Sequence, residues 1–329
     1  MATKRSKAKP ASAKGKRTKA VKLSATGKKS AKTSKAESKL AASLSTNQMV
    51  GQSLADVLRA PQGHVNVDGL DANATPGYPG KGKQDAGALT EELRDRIADL
   101  QERLYANGRD GDGPSVLVVL QGMDTSGKGG VIRHVFGMVD PQGVHLKAFK
   151  APSEEERQHD FLWRIRREVP APGMIGIFDR SHYEDVLIAR VNNLVPEEEW
   201  QQRYALINEF EQQLRAEGTV IVKCFLHAGF DEQKQRLAER LADPSKYWKY
   251  NPGDLDSRSH WSAYMDAYAD LLARCNPDSA PWFVIPSNKK WYRNWAIAQL
   301  LLDHLASLDL TWPPATFDVA AEKARVAAS

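Results

Sequence analysis

The uncharged run SVLVVLQ (Ser115–Gln121) leads straight into GMDTSGKGG (Gly122–Gly130), and no other stretch of the 329-residue chain constrains the fold so tightly. Gly122, Gly127 and Lys128 satisfy the spacing G-x-x-x-x-G-K, and the VIRHVFGMV that follows can open a helix. Strand, glycine-rich turn and helix is the context in which backbone N–H groups cradle phosphate oxygens, helped by the positive end of the helix. Thr125, Ser126, Gly129 and Gly130 complete the candidate cradle, and Lys128 adds a point charge at the phosphoryl group. Loops of this kind usually follow the lysine with a Ser or Thr that helps hold Mg²⁺, whereas here the residue is Gly129. The nearest replacement for that metal ligand is Asp124, inside the loop itself.

Four further β-type runs alternate with helical stretches: Val144–Lys150, Met174–Phe178, Thr219–Leu226 and Trp282–Pro286. Together with Ser115–Gln121 they predict an α/β fold with a five-stranded parallel sheet covered on both faces, its sites at the carboxyl ends of the strands. Before the first strand, LTEELRDRIADLQERLYANG repeats Leu or Ile at helical spacing, with Gly108 as the expected stop. Charge collects after every strand, as a phosphoryl-transfer site requires.

The run GMIGIFD ends in Asp179, the form of a Walker B strand whose carboxylate holds Mg²⁺ directly or through water. Asp124 and Asp179 are thus the candidate metal ligands, for Mg²⁺ or Mn²⁺. Arg180 follows at once and suits either a phosphate or a surface ion pair. Residues 229–261 are dense in cations, with Arg236 and Arg240 one helical turn apart. This stretch is either a lid that closes over donor and acceptor phosphates or an amphipathic helix with a solvated basic face. After the second strand, Asp160 and Arg164 have the spacing of an intrahelical ion pair, or else form an acceptor pocket with Trp163 near a base and Arg164 on a phosphate. Glu184 is grouped with that pocket. Arg133 is a further phosphate candidate, and Lys150, Lys289, Lys290 and Arg293 are candidates for a groove that tracks a long polyanion.

Composition settles what surrounds this unit. Residues 1–47 hold 14 Lys/Arg and one acid, leaving 32 basic and 40 acidic residues beyond, so a strongly basic tail precedes a mildly acidic body. The tail is too poor in large apolar residues to order itself and is expected to be disordered: a solubilising segment, an arm for polyphosphate or nucleic acid, or a transit peptide, the last weakened by its excess of lysine over arginine. Residues 48–85 read as an extended arm, 86–315 as the phosphotransferase domain and 316–329 as a C-terminal tail. Two cysteines, Cys224 and Cys275, make no disulfide framework. No apolar run approaches membrane-spanning length, so a cytoplasmic protein with no membrane partner is expected.

GMDTSGKGG with IRHVFG, HDFLWR, FDRSHYEDVL, INEFE, KYWKYNPGDL and APWFVIPSNKKWYRN, in that order over residues 65–315, resembles the polyphosphate kinase 2 family. FDRSHYEDVL is similar to the subgroup that acts on AMP as well as ADP. The resemblance implies a P-loop kinase fold of three layers, related to thymidylate kinase, with a helical lid and a homo-oligomeric state. It implies Mg²⁺-dependent transfer from inorganic polyphosphate to AMP or ADP, forming ADP or ATP. Asp124 and Asp179 fall on the family's metal- and phosphate-site aspartates, Lys128 on its loop lysine, and Arg180 and Arg240 on its phosphate-binding arginines. Gly129 is also a family trait, while SNKKW and PDSAPW depart from the usual pattern. Two rivals stand beside this reading: an ATP-dependent nucleoside monophosphate kinase, and a nucleic-acid-associated protein with an inactive core.

Overall fold

A computed structural model of the chain describes residues 52–329; the expected basic tail, residues 1–47, lies outside the described residues. Five strands form one parallel sheet: Ser115–Gln121 (β1), Val144–Ala148 (β2), Ile175–Asp179 (β3), Thr219–His227 (β4) and Trp282–Pro286 (β5). Their order is β2-β3-β1-β4-β5. The chain leaves central β1 for the far edge, returns through β3 and then crosses to the other side, so the strand order reverses around β1. Ligand sites form at such a reversal, outside the carboxyl ends of the strands.

Alternation along β1 shows why this sheet must be covered twice. Leu117 and Val119 face one apolar cluster with Phe178, Ile221 and Phe225, while Val116, Val118 and Leu120 face a second with Ile177, Val222 and Leu226. Eleven α-helices surround the sheet in the described residues. They are Leu54–Leu58 (α1), Lys83–Asn107 (α2), Lys128–His134 (α3), Trp163–Arg166 (α4), Ile188–Val191 (α5), Glu197–Ala216 (α6), Phe230–Ala242 (α7), Gly253–Ser259 (α8), Trp261–Arg274 (α9), Lys290–Ser307 (α10) and Val319–Ala328 (α11). Helices α6 and α9 supply Tyr204, Ile207, Tyr268 and Leu272 to the first cluster; α2, α3 and α10 supply Ile97, Leu104, Val131 and Leu301 to the second. The result is the expected three-layer α/β fold.

Helix α2 stops at Gly108, as its sequence predicts, but for a different reason. Gly108 has an ordinary helical φ of −87°, so no left-handed cap is involved. A Cβ there would lie 2.4 Å from the Cα of Gly173 and from the carbonyl oxygen of Pro172. The glycine permits two backbones to touch.

Residues 52–85 are not simply extended. Ser53 and Asp56 cap α1 reciprocally, the Asp56 N–H donating to Ser53 Oγ (3.1 Å) and the Ser53 N–H to Asp56 Oδ2 (2.9 Å). The chain then lies against β5, with an antiparallel bridge from Arg59 to Phe283 and a bond from the Ala60 N–H to the Trp282 carbonyl (2.7 Å). Farther on, Tyr78 packs edge-on against Trp291 and Trp295 of α10. Residues 316–329 contain α11, capped by Asp318, none of whose residues is buried. Among the described residues no helix is long and apolar enough to cross a membrane.

Candidate active site

The loop Gly122–Gly130 leaves the buried end of β1 and enters α3. Its path needs unusual backbone angles: Gly122 (φ 150°), Thr125 (φ 65°) and Gly127 (φ 110°) are all positive. Thr125 is not glycine, and holding such a residue left-handed costs on the order of 1–3 kcal/mol, a strain typical of functional loops. Thr125 Oγ1 and Ser126 Oγ are buried and find no hydrogen-bond partner among the described residues. Buried hydroxyls normally do find partners, and two orphaned donors in one glycine-rich loop suit phosphate oxygens.

Lys128 is buried, and its Nζ donates to the Gly122 carbonyl at 2.7 Å. Burial first, then the neighbouring Arg180 charge, lowers its pKa from the ordinary lysine value, against the attraction of Asp179, Asp124 and Glu184. The parallel register pairs Asp179 with Leu120, and the Arg180 N–H donates to the Leu120 carbonyl (3.1 Å). That pairing brings the end of β3 beside the loop. Arg180 has a φ of 62°, and its Nη2 meets Asp124 Oδ1 at 2.5 Å. Burial works against the Arg180 charge, but Glu184, Asp124 and Asp179 outweigh it and raise its pKa above the ordinary value. Asp124, Lys128, Asp179 and Arg180 therefore form one coupled group.

Asp254, on α8, faces this group and was not singled out from the sequence. Burial, then the Asp124 carboxylate, pushes its pKa up to about 6, against Arg240, Arg180 and Lys128. Arg240 of α7 donates to the Lys249 carbonyl (2.7 Å) and to Asp254 Oδ2 (3.1 Å). The predicted lid stretch thus presents an ion pair to the loop, not a lone cation. In the sequence Asp254 is one acid in a stretch dense in cations, and no local spacing marks it.

At the same sheet edge opens a groove of ≈ 910 Å³. Lys150, Asp160, Arg164, Arg180 and Glu184 line it together with apolar Phe161, Ile188, Leu194 and Leu206. Gln121 at the end of β1 orients Glu184, its Nε2 donating to Glu184 Oε1 at 3.0 Å. Arg164 donates to the Lys150 carbonyl (2.8 Å) and lies 3.5 Å from Asp185 Oδ2. The Asp160–Arg164 ion pair does not form: Asp160 instead accepts from the Leu162 N–H and from Arg166, both at 3.0 Å.

Four predicted placements need correction. Trp163 does not line the groove but stacks on His159, ring centroids 4.1 Å apart, with Arg167 on its face. Arg236 is buried and spends its guanidinium on the carbonyls of Thr125 (2.8 Å), Ser126 (3.2 Å), Ser287 (2.6 Å) and Asn288 (3.0 Å) and on Glu232 (2.7 Å). It holds the loop and leaves no donor for a phosphate. Arg293 is likewise buried, bonded to the Ser126 carbonyl (3.2 Å) and to Asn294. It cannot line an open channel. Lys150 belongs to the groove of the acceptor candidates and not to a track with Lys289 and Lys290, which sit at the start of α10, Lys290 3.7 Å from Glu239. Arg133 is exposed on α3. An added Cβ at Gly129 would meet nothing within 4 Å, so sterics do not explain the missing hydroxyl.

The pattern of the family described as Polyphosphate kinase 2 (PPK2) matches residues 81–311. The AMP/ADP-polyphosphate phosphotransferase of Meiothermus ruber is 47% identical over 253 residues, covering 77% of this chain and 93% of that protein. The ADP-polyphosphate phosphotransferase of Rhodopseudomonas palustris is 42% identical over 234 residues, 68% of this chain and 80% of its own. Among solved structures, the crystal structure of Polyphosphate Kinase 2 from Arthrobacter aurescens TC1 superposes with a TM-score of 0.81 at 53% identity, covering 84% of this chain and 98% of that one. With the loop, the Asp124–Arg180 pair and the groove at one sheet edge, these matches place the chain in the Polyphosphate kinase 2 family.

Proposed function

We propose that this protein transfers the terminal phosphoryl group of inorganic polyphosphate to AMP and ADP, giving ADP and ATP. The observation that carries the proposal is the juxtaposition of the loop and its coupled Asp124–Lys128–Asp179–Arg180 group with the half-apolar groove at the same sheet edge. The names of the relatives support both the donor and the acceptors. They leave the ATP-dependent kinase and the inactive-core readings without support.

In the reaction a P–O bond at the end of polyphosphate breaks while a terminal phosphate oxygen of the nucleotide bonds to the same phosphorus, and the chain leaves one unit shorter. The transition state spreads negative charge over equatorial oxygens, so the site must supply cations and alignment. Lys128 and Arg180 meet that charge, and loop N–H groups with the Thr125 and Ser126 hydroxyls hold the phosphates. The acceptor oxygen is already anionic near neutral pH and needs no general base. Asp185 and Gln121 orient Arg164 and Glu184 toward the acceptor, and Asp254 holds Arg240 against the loop.

The residues also fit a divalent metal, Mg²⁺ by our reading, with Mn²⁺ able to replace it. Asp124 and Asp179 are hard oxygen donors beside the phosphate loop, and Mg²⁺ is commonly held by one or two carboxylates plus phosphates and water. No cluster of three or more His, Cys, Asp or Glu among the described residues forms a cage of its own, which agrees with a metal that arrives with phosphate. When bound, it would offset phosphate charge. Homo-oligomer formation, a cytoplasmic location and polyanion binding by residues 1–47 belong to the same proposal, the last supported by the tail's charge.

The test is purified protein with Mg²⁺, AMP or ADP, and either polyphosphate or ATP as donor. ADP and ATP should form from polyphosphate. If no ADP or ATP appears with polyphosphate, the assignment is wrong.

A further inference from the structure

Two guanidinium groups lie buried against the carbonyl side of the phosphate loop. Both reach the Ser126 carbonyl, Arg236 from α7 and Arg293 from α10, each at 3.2 Å. In a trans peptide the C=O and the N–H of the same unit point in opposite directions. Fixing the Ser126 oxygen therefore fixes the N–H of Gly127, aimed away from both arginines and toward the phosphate side.

The two arginines differ in how their charge is met. Arg236 has Glu232 at 2.7 Å. Arg293 is only 3% exposed, and among the described residues no carboxylate pairs with it; its partners are the Ser126 carbonyl and the Asn294 side chain. Burial, then the neighbouring Arg236, lowers its pKa to about 9, as expected of a cation without an anion. A buried charge left unpaired is costly, and it gains most from an anion brought to the other face of the same loop. The glycines enforce this closeness. A Cβ on Gly127 would fall 1.8 Å from Arg293 Nη1, and one on Gly130 would fall 2.7 Å from Nη2.

We infer that Arg293 is a positioning residue for the donor phosphates: it aims the Gly127 N–H from behind the loop, and the phosphate chain in front supplies the anion its buried charge lacks. The inference rests on the loop being the polyphosphate site.

It is tested with Arg293→Met, Arg293→Lys and Gly130→Ala, measured by thermal unfolding, steady-state kinetics and the unfolding-temperature shift that tripolyphosphate with Mg²⁺ produces. Arg293→Met should stay folded, raise KM for polyphosphate roughly tenfold or more, the size of one charge-assisted contact, and shrink the tripolyphosphate shift. KM for the nucleotide should move less than about threefold. Arg293→Lys, which keeps the charge, should recover most of the loss, and a brace of shape alone would not show that rescue. Gly130→Ala has a helical backbone and displaces the guanidinium without deleting it, so it should also raise KM for polyphosphate even if Arg293→Met fails to fold. A folded Arg293→Met or Gly130→Ala protein with the parent's KM and tripolyphosphate shift overturns the inference, as does Arg293→Lys behaving like Met. A parent protein that makes no ATP from polyphosphate would instead sink the functional assignment.

Discussion

Replacing Lys128 by Met separates catalysis from stability, because the structure gives the two effects opposite signs. The ammonium is buried, donates to the Gly122 carbonyl and is positioned by the loop to meet the phosphoryl group. A unit charge about 4 Å from another is worth about 4 kcal/mol at an effective dielectric constant of about 20. Only the part realised in the transition state accelerates the reaction, so turnover should fall roughly 10²- to 10³-fold. Stability should not follow. The folded protein lowers the pKa of Lys128, so its charged form is disfavoured by folding. That unfavourable contribution is full below the lowered folded value and disappears as the pH rises from that value to the ordinary 10.5. Methionine keeps the aliphatic length and removes the desolvated charge, so the unfolding temperature should be unchanged or higher. The assay is ATP formation from ADP and polyphosphate, beside calorimetry of the same preparations. A variant with activity within tenfold of the parent, or one destabilised in proportion to its loss of activity, would refute the reasoning.

Glu211→Ala should act the other way. Glu211 is buried with Lys223 Nζ at 2.6 Å, Tyr183 Oη at 2.7 Å and His182 Nε2 at 3.2 Å. Burial opposes its charge, but Lys223 and His182 outweigh it and hold the carboxyl below the usual range; its stabilising effect is present above about pH 4.5 and is lost as the pH falls. Removing it strands Lys223 and should cost about 3–5 kcal/mol, or roughly 6–15 °C by calorimetry; a loss below about 1 kcal/mol would contradict the network. For Asp254, the pKa of about 6 means the folded state binds the proton more tightly than the unfolded chain. Its ionised form is then least stable, and its pairing with Arg240 is complete only above that value. Substrate phosphates titrate in the same range, so the informative quantity is the turnover ratio of parent to Asp254→Asn. That ratio should be large at pH 7 to 8 and shrink toward one below about pH 5; a ratio independent of pH would rule the pair out.

The strands and the phosphate loop were legible because both are local signals. The continuous apolar run in SVLVVLQ, a glycine spacing and a carboxylate closing GMIGIFD each lie within ten residues. What escaped depends on which side of a segment faces inward. Arg236 and Arg240 are one turn apart on the same helix, yet one is buried under the loop and the other pairs with Asp254. Trp163 follows Asp160 at a spacing that suits a pocket, but α4 is four residues long and turns the ring onto His159. Arg293 sits in a run of exposed-looking cations, Lys289, Lys290 and Arg293, and only the packing of α10 against the loop separates it from them. Charge density marked the right edge of the sheet without saying which cations face the substrate and which face the protein.

The strap formed by residues 59–78 bears on where the folded catalytic unit begins. The family pattern starts at residue 81, and a chain cut there would keep every residue of the active site. It would also lose the bridge to Phe283, the bonds from the Asn288 N–H to the Ala72 carbonyl and from Tyr292 Oη to the Pro76 carbonyl, and the ring of Tyr78 against Trp291 and Trp295. All of these hold β5 and α10, the elements that bring Arg293 beneath the phosphate loop. Homology draws its border at the catalytic machinery, but mechanical support extends about twenty residues upstream of it.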